Sequence, residues 1–184
     1  VSAHDPLANS EASVSLSIPE SVHSLLRSRI AQLDPIAAQL FDVFALAQTA
    51  VEMEEAQQIA GRDEFATAEA IDQLLAMQLV QADGLYYSVS HTILGEMAQA
   101  AIGKTRRRLL HRRAGEVLQQ RVDGAALAAF HFAAAAMAEA AAQNYFSAAQ
   151  HAWALFAAEP ALQSLTRALA LSPVSEPLLF AIYA

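Results

Sequence analysis

Positive charge is concentrated in one short segment of this chain, and that segment constrains what the flanking sequence can form. Seven of the 11 Lys and Arg residues in the 184-residue sequence lie within it: Lys104, Arg106, Arg107, Arg108, Arg112, Arg113 and Arg121. The sequence before this segment is acidic, and the sequence after it is rich in alanine. We therefore expect a basic helix that joins two different kinds of structure.

The acidic part begins with the apolar spacing of helices. Ile18-Pro19-Glu20-Ser21 starts one helix, and Asp34 with Pro35 suits the N-cap and first position of a second. Two more helices are predicted, from Glu52 to Ala60, ending at Gly61, and from Glu64 to Gln78. Apolar spacing predicts the buried faces of the first, second and fourth helices: Leu25, Leu26, Ile30 and Leu33; Leu40, Phe41, Val43, Phe44 and Leu46; Phe65, Ala68, Ile71, Leu74 and Leu75.

A β-hairpin is predicted directly after the fourth helix. Leu79-Val80-Gln81 and Leu85 to Val89 have strand composition, and Asp83-Gly84 between them favours a tight turn. The last three of these helices, followed by a hairpin, have the order of a winged helix. DNA-binding winged helices place the helix before the hairpin, here Glu64 to Gln78, in the major groove. From Asp34 to His91, however, ten acidic residues stand against Arg62 alone. Because Lys and Arg supply phosphate affinity, this surface should repel DNA and suits protein contact instead.

The alanine-rich part predicts helical hairpins of the tetratricopeptide type. Three helices are expected, at residues 125–142, 144–158 and 160–171. Residues 142–173 fit the 34-residue tetratricopeptide register, and Ser172 to Ala184 is expected to begin a further repeat. The positions for aromatic, small, small, large, small and proline residues are filled by Tyr145, Ala149, Ala161, Leu165, Ala168 and Pro173.

Three stretches carry a resemblance to a known family: IPESVHSLLRSRIAQL, LLAMQLVQADGLYYSVSH and RRRLLHRRAGEVL. The chain resembles, over residues 18–173, the region after the nucleotide-binding domain of bacterial STAND-class regulators. These include LuxR-type and antibiotic-regulatory activators and cyclase-linked ATPase modules. The resemblance implies a cytoplasmic segment without a cofactor of its own, with ATP bound only by an upstream domain.

The expected fold is mainly α, in four parts. Residues 1–17 are a flexible lead-in, 18–103 a winged-helix-like domain with a small β-hairpin, 104–121 a basic linking helix, and 122–184 tetratricopeptide-like helical hairpins.

Candidate contact residues lie on the basic helix. Lys104 and Arg108 share a helix face, as do Arg108 and Arg112. Such a face could contact phosphate or pair with the acidic domain. The resemblance implies a third possibility, that the face touches the nucleotide-binding domain and reports its state. Pairing with the acidic domain is favoured over phosphate contact. The predicted interdomain or partner contacts are Lys104, Arg107, Arg108, His111 and Arg112.

Other chemistry finds little support in the sequence. His91, His111, His131 and His151 recur every 20 residues, but without the Cys, HExxH or acidic neighbours of a metal site, so capping and packing roles are expected. Gly103-Lys104-Thr105 lacks the earlier glycine of a P-loop, because Ala98 stands there. No cysteine is present, and no catalytic set, signal peptide or membrane span is predicted.

The sequence therefore predicts a non-catalytic regulatory and protein-interaction segment. It would couple a nucleotide-binding domain of the same longer chain to a protein partner or inducer on the helical repeats. Two alternatives stay open: a small DNA-binding regulator that uses the Arg-rich helix, and a stand-alone helical adaptor.

Overall fold

The computed structural model describes residues 20–171, which are mainly helical with one small antiparallel sheet. Within this range no helix is both long and apolar enough to cross a membrane. The predicted lead-in, the Ile18-Pro19 helix start, Pro173 and the further repeat from Ser172 lie outside the described residues. The elements are α1 (Glu20–Ala31), α2 (Pro35–Ala47), β1 (Val51–Glu52), α3 (Met53–Ala60), α4 (Glu64–Ala76), β2 (Val80–Asp83), β3 (Tyr86–Val89), α5 (Thr92–Ala101), α6 (Lys104–Leu118), α7 (Ala125–Ala134), α8 (Ala138–Ala154) and α9 (Ala158–Ala170).

The second helix, α2, is the centre of the larger core. The Asp34 carboxylate accepts hydrogen bonds from the backbone N–H groups of Ile36 at 2.8 Å and Ala37 at 3.0 Å, which confirms the predicted N-cap. All five core residues predicted on α2 are buried. On α1 the half-buried stripe is Leu26, Ile30 and, just beyond the helix, Leu33.

The predicted face of α1 was wrong at Leu25, which is 60% exposed. Adjacent helical residues point about 100° apart, so Leu25 lies off the stripe that contains Leu26.

The boundaries of α3 and α4 follow the sequence closely. The Glu55 carboxylate accepts from the N–H of Glu52 at 2.9 Å, and Gly61 ends α3 with φ of 68°. Asp63 caps α4 by accepting from Ala66 at 3.0 Å. The end of α4 is Ala76, because Gln78 adopts φ of 53° and the following N–H bonds back to the carbonyl of Leu74 at 3.0 Å.

The prediction that Phe65 belongs to the core was wrong. Ile71 and Leu74 are buried, but Phe65 is 83% exposed. The buried stripe of α4 runs instead through Thr67, Ala70, Ile71 and Leu74. Thr67 fits there because its hydroxyl donates to the carbonyl of Asp63 at 2.8 Å, which satisfies its only polar group.

The sheet has three strands in the order β1-β3-β2, all antiparallel. The predicted hairpin is present, but its turn is Gly84-Leu85 rather than Asp83-Gly84, since Asp83 pairs with Tyr86. Gly84 has φ of 60°, which is readily accessible to glycine. The sequence did not predict β1, a two-residue strand that pairs Val51 with Tyr87.

Two left-handed turns separate the last three helices, and they correct the predicted boundaries. Ala136 has φ of 59° and Phe156 has φ of 58°. At the first turn, Ala136 and Met137 donate back to Ala133 and Phe132, and the second repeats this bonding 20 residues later. These are Schellman motifs, usually made by glycine. The sequence analysis placed the breaks between these helices near residues 143 and 159, and both positions were wrong. Neither of the actual turns contains glycine, so the sequence lacked the usual signal for a helix end.

In the described part of the chain, buried hydrophobic residues form one large cluster and two small ones. The large cluster runs from Ala37 to Leu118 and includes residues of α2–α5 and the apolar side of α6. Ala128, Phe132 and Ala141 form a second cluster, and Ala129, Tyr145 and Ala168 a third. Tyr145, Ala149, Ala161 and Ala168 are buried and Leu165 is half-buried. The basic helix α6 therefore lies between the main core and the alanine-rich helices.

Candidate functional site

The basic helix α6 packs through one face and exposes the other. Leu110, Ala114 and Leu118 are buried, and Gly115 lies against the ring of Phe132 on α7. A Cβ on Gly115 would stand only 2.8 Å from that ring, so glycine permits the close contact between α6 and α7. The five predicted contact residues all lie on α6, but the structure divides them between its inner and outer faces.

Three arginines of α6 bind backbone carbonyls near the ends of other helices. Arg107 donates to the carbonyl of Gln99 on α5. Arg108 Nε donates to Ala135, the C-cap of α7, at 2.8 Å. Arg113 donates to Ala60, the last residue of α3, at 3.1 Å. The last carbonyls of a helix lack intrahelical partners and carry partial negative charge, so a guanidinium both satisfies and stabilises them.

Two further arginines form ion pairs with the acidic part of the chain. Arg106 lies 2.9 Å from the Asp42 carboxylate on α2. Arg121 binds both carboxylate oxygens of Glu55 and also donates to the carbonyl of Ala50 at 3.2 Å. At these two positions the basic segment pairs with the acidic part of the chain, as the favoured interpretation expects of its exposed face. Arg106, Arg113 and Arg121 were missing from the predicted contact set, although the unmatched acids upstream were a signal for Arg106 and Arg121.

The two paired carboxylates have opposite pKa shifts. Burial raises the pKa of Asp42 to about 6, although the charge of Arg106 opposes the shift. Burial also acts to raise the pKa of Glu55, but hydrogen bonds from Arg121 and from the N–H of Glu52, with the charge of Arg121, lower it on balance. The Glu55–Arg121 pair is therefore the better compensated of the two.

His111 and His131 form a buried pair of hydrogen-bonded side chains where α6, α7 and α2 meet. Their Nδ1 atoms are 2.9 Å apart, and Nε2 of His131 lies 3.3 Å from the carbonyl of Ala47, the last residue of α2. A carbonyl only accepts, so we assign the His131 hydrogen to Nε2, and its Nδ1 then accepts from Nδ1–H of His111. This arrangement makes both rings neutral donors.

Burial and nearby positive charge keep these rings neutral. Burial lowers the pKa of His131 to about 4, with the charge of His111 acting in the same direction and the Ala47 carbonyl opposing. Burial, and then the charge of Arg107, lower the pKa of His111. The pair therefore favours the neutral state near pH 7.

The regular spacing of the histidines brings only these two together. His91 takes the N-cap position of α5 without a side-chain cap bond, and His151 is exposed on α8. Among residues 20–171 no three His, Cys, Asp or Glu side chains are arranged to hold a metal ion. Lys104 and Thr105 begin α6 directly after α5, so the strand that precedes a true P-loop is absent at that place.

The outer face of α6 borders an open groove of about 420 Å³. Arg108, Leu109 and Arg112 line it from α6, and Ala135 and Met137 line it from the turn between α7 and α8. Arg112 is half-exposed and lies 3.6 Å from Glu116 one turn later. Of the predicted contact residues, Lys104, Arg108 and Arg112 are therefore exposed on the surface, whereas Arg107 is half-buried and His111 buried.

Comparison of the chain with protein-family models, with curated proteins and with solved structures found no match.

Proposed function

We propose that this chain is a non-catalytic regulatory segment that transmits a change of state between a nucleotide-binding domain and a partner on its C-terminal helices. The observation that carries the proposal is that α6 is bonded on both sides. Arg106 and Arg113 bind α2 and α3, Arg108 binds the end of α7, and His131 connects α7 to α2. A displacement of α2 and α3 would therefore be transmitted to α7, and the reverse, through short, directional bonds.

The arrangement of elements supports a winged-helix-like domain followed by tetratricopeptide-like hairpins. The order α2, β1, α3, α4, β2, β3, with a hairpin against a short first strand, is that of a winged-helix-like domain. Helices α7, α8 and α9, which are joined by short turns and packed through alanine, would be tetratricopeptide-like hairpins. Both features agree with the STAND-class resemblance.

Charge favours protein contact over DNA binding. Helix α4 exposes Glu64, Glu69 and Asp72, and carries no Lys or Arg. Arg107 and Arg113, which could have contacted phosphate, bind carbonyls of the same chain, and Arg106 pairs with Asp42. Lys104, Arg108 and Arg112 remain exposed on α6, and three cations give only modest affinity for a duplex.

The first test is the size of the native polypeptide. An antibody raised against this chain would be used to probe a lysate of the source cells by immunoblotting. The proposal expects a band far above the 19.7 kDa of this sequence, because the nucleotide-binding and output domains must be on the same polypeptide. A single band near 20 kDa would remove the coupling role and favour the adaptor alternative.

If the large polypeptide is found, charge reversal tests the coupling itself. Arg108→Glu with Arg112→Glu should change nucleotide hydrolysis, output activity or both in the full-length protein. Arg27→Glu on α1, an exposed position, is the control. Unchanged hydrolysis and output in the double variant would contradict the proposal.

A further inference from the structure

Three exposed cations of α6 form a regular stripe beside an apolar surface. Lys104, Arg108 and Arg112 are separated by four residues, so they lie along one side of the helix over about 12 Å. Leu109, which is 40% exposed, and half-buried Met137 adjoin the stripe in the groove between α6 and the α7–α8 turn. Charged and apolar surfaces therefore lie side by side at this groove.

Arg108 is held in a position to bind a ligand. Its Nε donates to the Ala135 carbonyl at 2.8 Å, which fixes the side chain against the groove wall. Within residues 20–171 the two terminal nitrogens of this guanidinium make no hydrogen bond, so they are available to a carboxylate. Because the side chain is already ordered, a partner would incur less of the entropy cost of immobilising it.

We propose that this groove binds an acidic amphipathic helix of a protein partner, through carboxylates at four-residue spacing and apolar side chains between them. The inference rests on the proposed protein-interaction role and specifies the chemistry of the partner. Carboxylates four residues apart match the spacing of the three cations, and the neighbouring apolar residues cover Leu109 and Met137. The chain as a whole is acidic, with a net charge of -8, so this stripe is also where an acidic partner meets least repulsion.

The apolar part of the groove favours a peptide over a phosphate backbone. Nucleic acid would use the cations but leave Leu109 and Met137 uncovered or against polar atoms. A methionine beside an exposed leucine is adaptable lining for an amphipathic helix. Three cations alone also give only modest phosphate affinity at physiological salt.

A fluorescence anisotropy titration of the 184-residue chain tests the proposal. The probe is a labelled helical peptide of about 15 residues, or about 22 Å, with Glu at four-residue spacing and Leu on the adjoining face. One control peptide has Gln in place of each Glu. A second control has the same composition with Glu and Leu mixed over all faces. The acidic amphipathic peptide should bind, and both controls should bind at least about tenfold more weakly.

Matched protein variants locate the binding. Arg112→Glu should weaken binding roughly tenfold or more, whereas Arg27→Glu, with the same charge change on α1, should leave it within about twofold. Circular dichroism would establish that both variants are folded, and Arg112→Gln offers a milder change at the same position. Lack of binding, equal binding of the mixed-face peptide, or insensitivity to both Arg112 changes would each overturn the inference.

The same titration with duplex DNA separates the competing ligand. Tighter binding of the duplex than of the peptide, lost on Arg112→Glu, would overturn the inference in favour of a nucleic-acid surface. The titration measures binding to the groove of this chain, whereas the immunoblot measures the size of the native polypeptide. Failure of the groove inference is therefore distinguishable from failure of the proposed function.

Discussion

Replacing His131 with Gln should remove a large pH dependence from the stability of this chain. His131 is fully buried, donates to the carbonyl of Ala47 and accepts from His111. Glutamine retains an N–H donor and an oxygen acceptor but does not titrate near neutral pH. The variant should therefore lose part of its stability at pH 7 while becoming much less sensitive to acid than the wild-type chain.

The sign and the size of the effect follow from the pKa of His131. Its folded-state pKa, about 4, lies below the ordinary value of 6.5, so the unfolded chain binds more protons between these values. The stabilisation is present above pH 6.5 and is lost as the pH falls toward 4. The full difference corresponds to about 3 kcal/mol, of which roughly 2 kcal/mol should be lost between pH 7 and pH 5.

Urea denaturation of both proteins at several pH values between 7 and 4.5 provides the measurement. The difference in unfolding free energy between wild type and variant should shrink by roughly 2 kcal/mol from pH 7 to pH 5. Using the difference matters because Asp42, whose pKa is raised to about 6, changes the stability of both proteins in the opposite direction over this range. Its contribution cancels in the comparison.

His151→Gln is the matched control. Both histidines lie four residues before a helix C-cap, and both carbonyls accept the N–H of that cap residue, but His151 is exposed. This variant should follow the wild-type pH profile. Parallel pH profiles for wild type and His131→Gln would refute the assignment of His131 as a neutral, buried donor.

Two further substitutions test the packing and the turns. Gly115→Ala should destabilise the chain by about 1–3 kcal/mol, because the new Cβ would meet the Phe132 ring at 2.8 Å; in the same thermal melts, Gly95→Ala, with no neighbour closer than 4.0 Å, should be neutral or stabilising. Ala136→Gly should stabilise the chain by about 0.5–1 kcal/mol, because Ala136 has φ of 59°; a lower melting temperature would contradict the assigned turn.

Local features of the sequence predicted most helix starts and the main core. Asp34 and Gly61 act through bonds to residues a few positions away, so a short window of sequence contains the whole signal. The apolar residues of α2 are likewise buried because nearly every face of that helix is covered. In contrast, Phe65 and Leu25 were placed on the wrong side, since apolar spacing alone does not say which of two adjacent stripes meets a neighbour.

Long-range and glycine-free features could not be predicted from local patterns. Strand β1 exists because Val51 pairs with Tyr87, and two residues carry no strand signal of their own. The end of α7 could not be predicted because Ala136, rather than glycine, occupies the left-handed position of the α7–α8 turn. The carbonyls bound by Arg108 and Arg113 lie 27 and 53 residues away, so the sequence identified the basic helix but not which of its cations bind within the chain.

Ionic strength should distinguish the bonds that α6 makes within the chain from the contacts that its outer stripe makes. The bonds from Arg108 and Arg113 to carbonyls are 2.8 and 3.1 Å long, far shorter than the screening length of about 8 Å at physiological salt. Lys104 and Arg112 instead face solvent, where dissolved ions compete directly for their charge. Added salt should therefore leave the link between the two parts of the chain intact while weakening whatever the outer stripe binds.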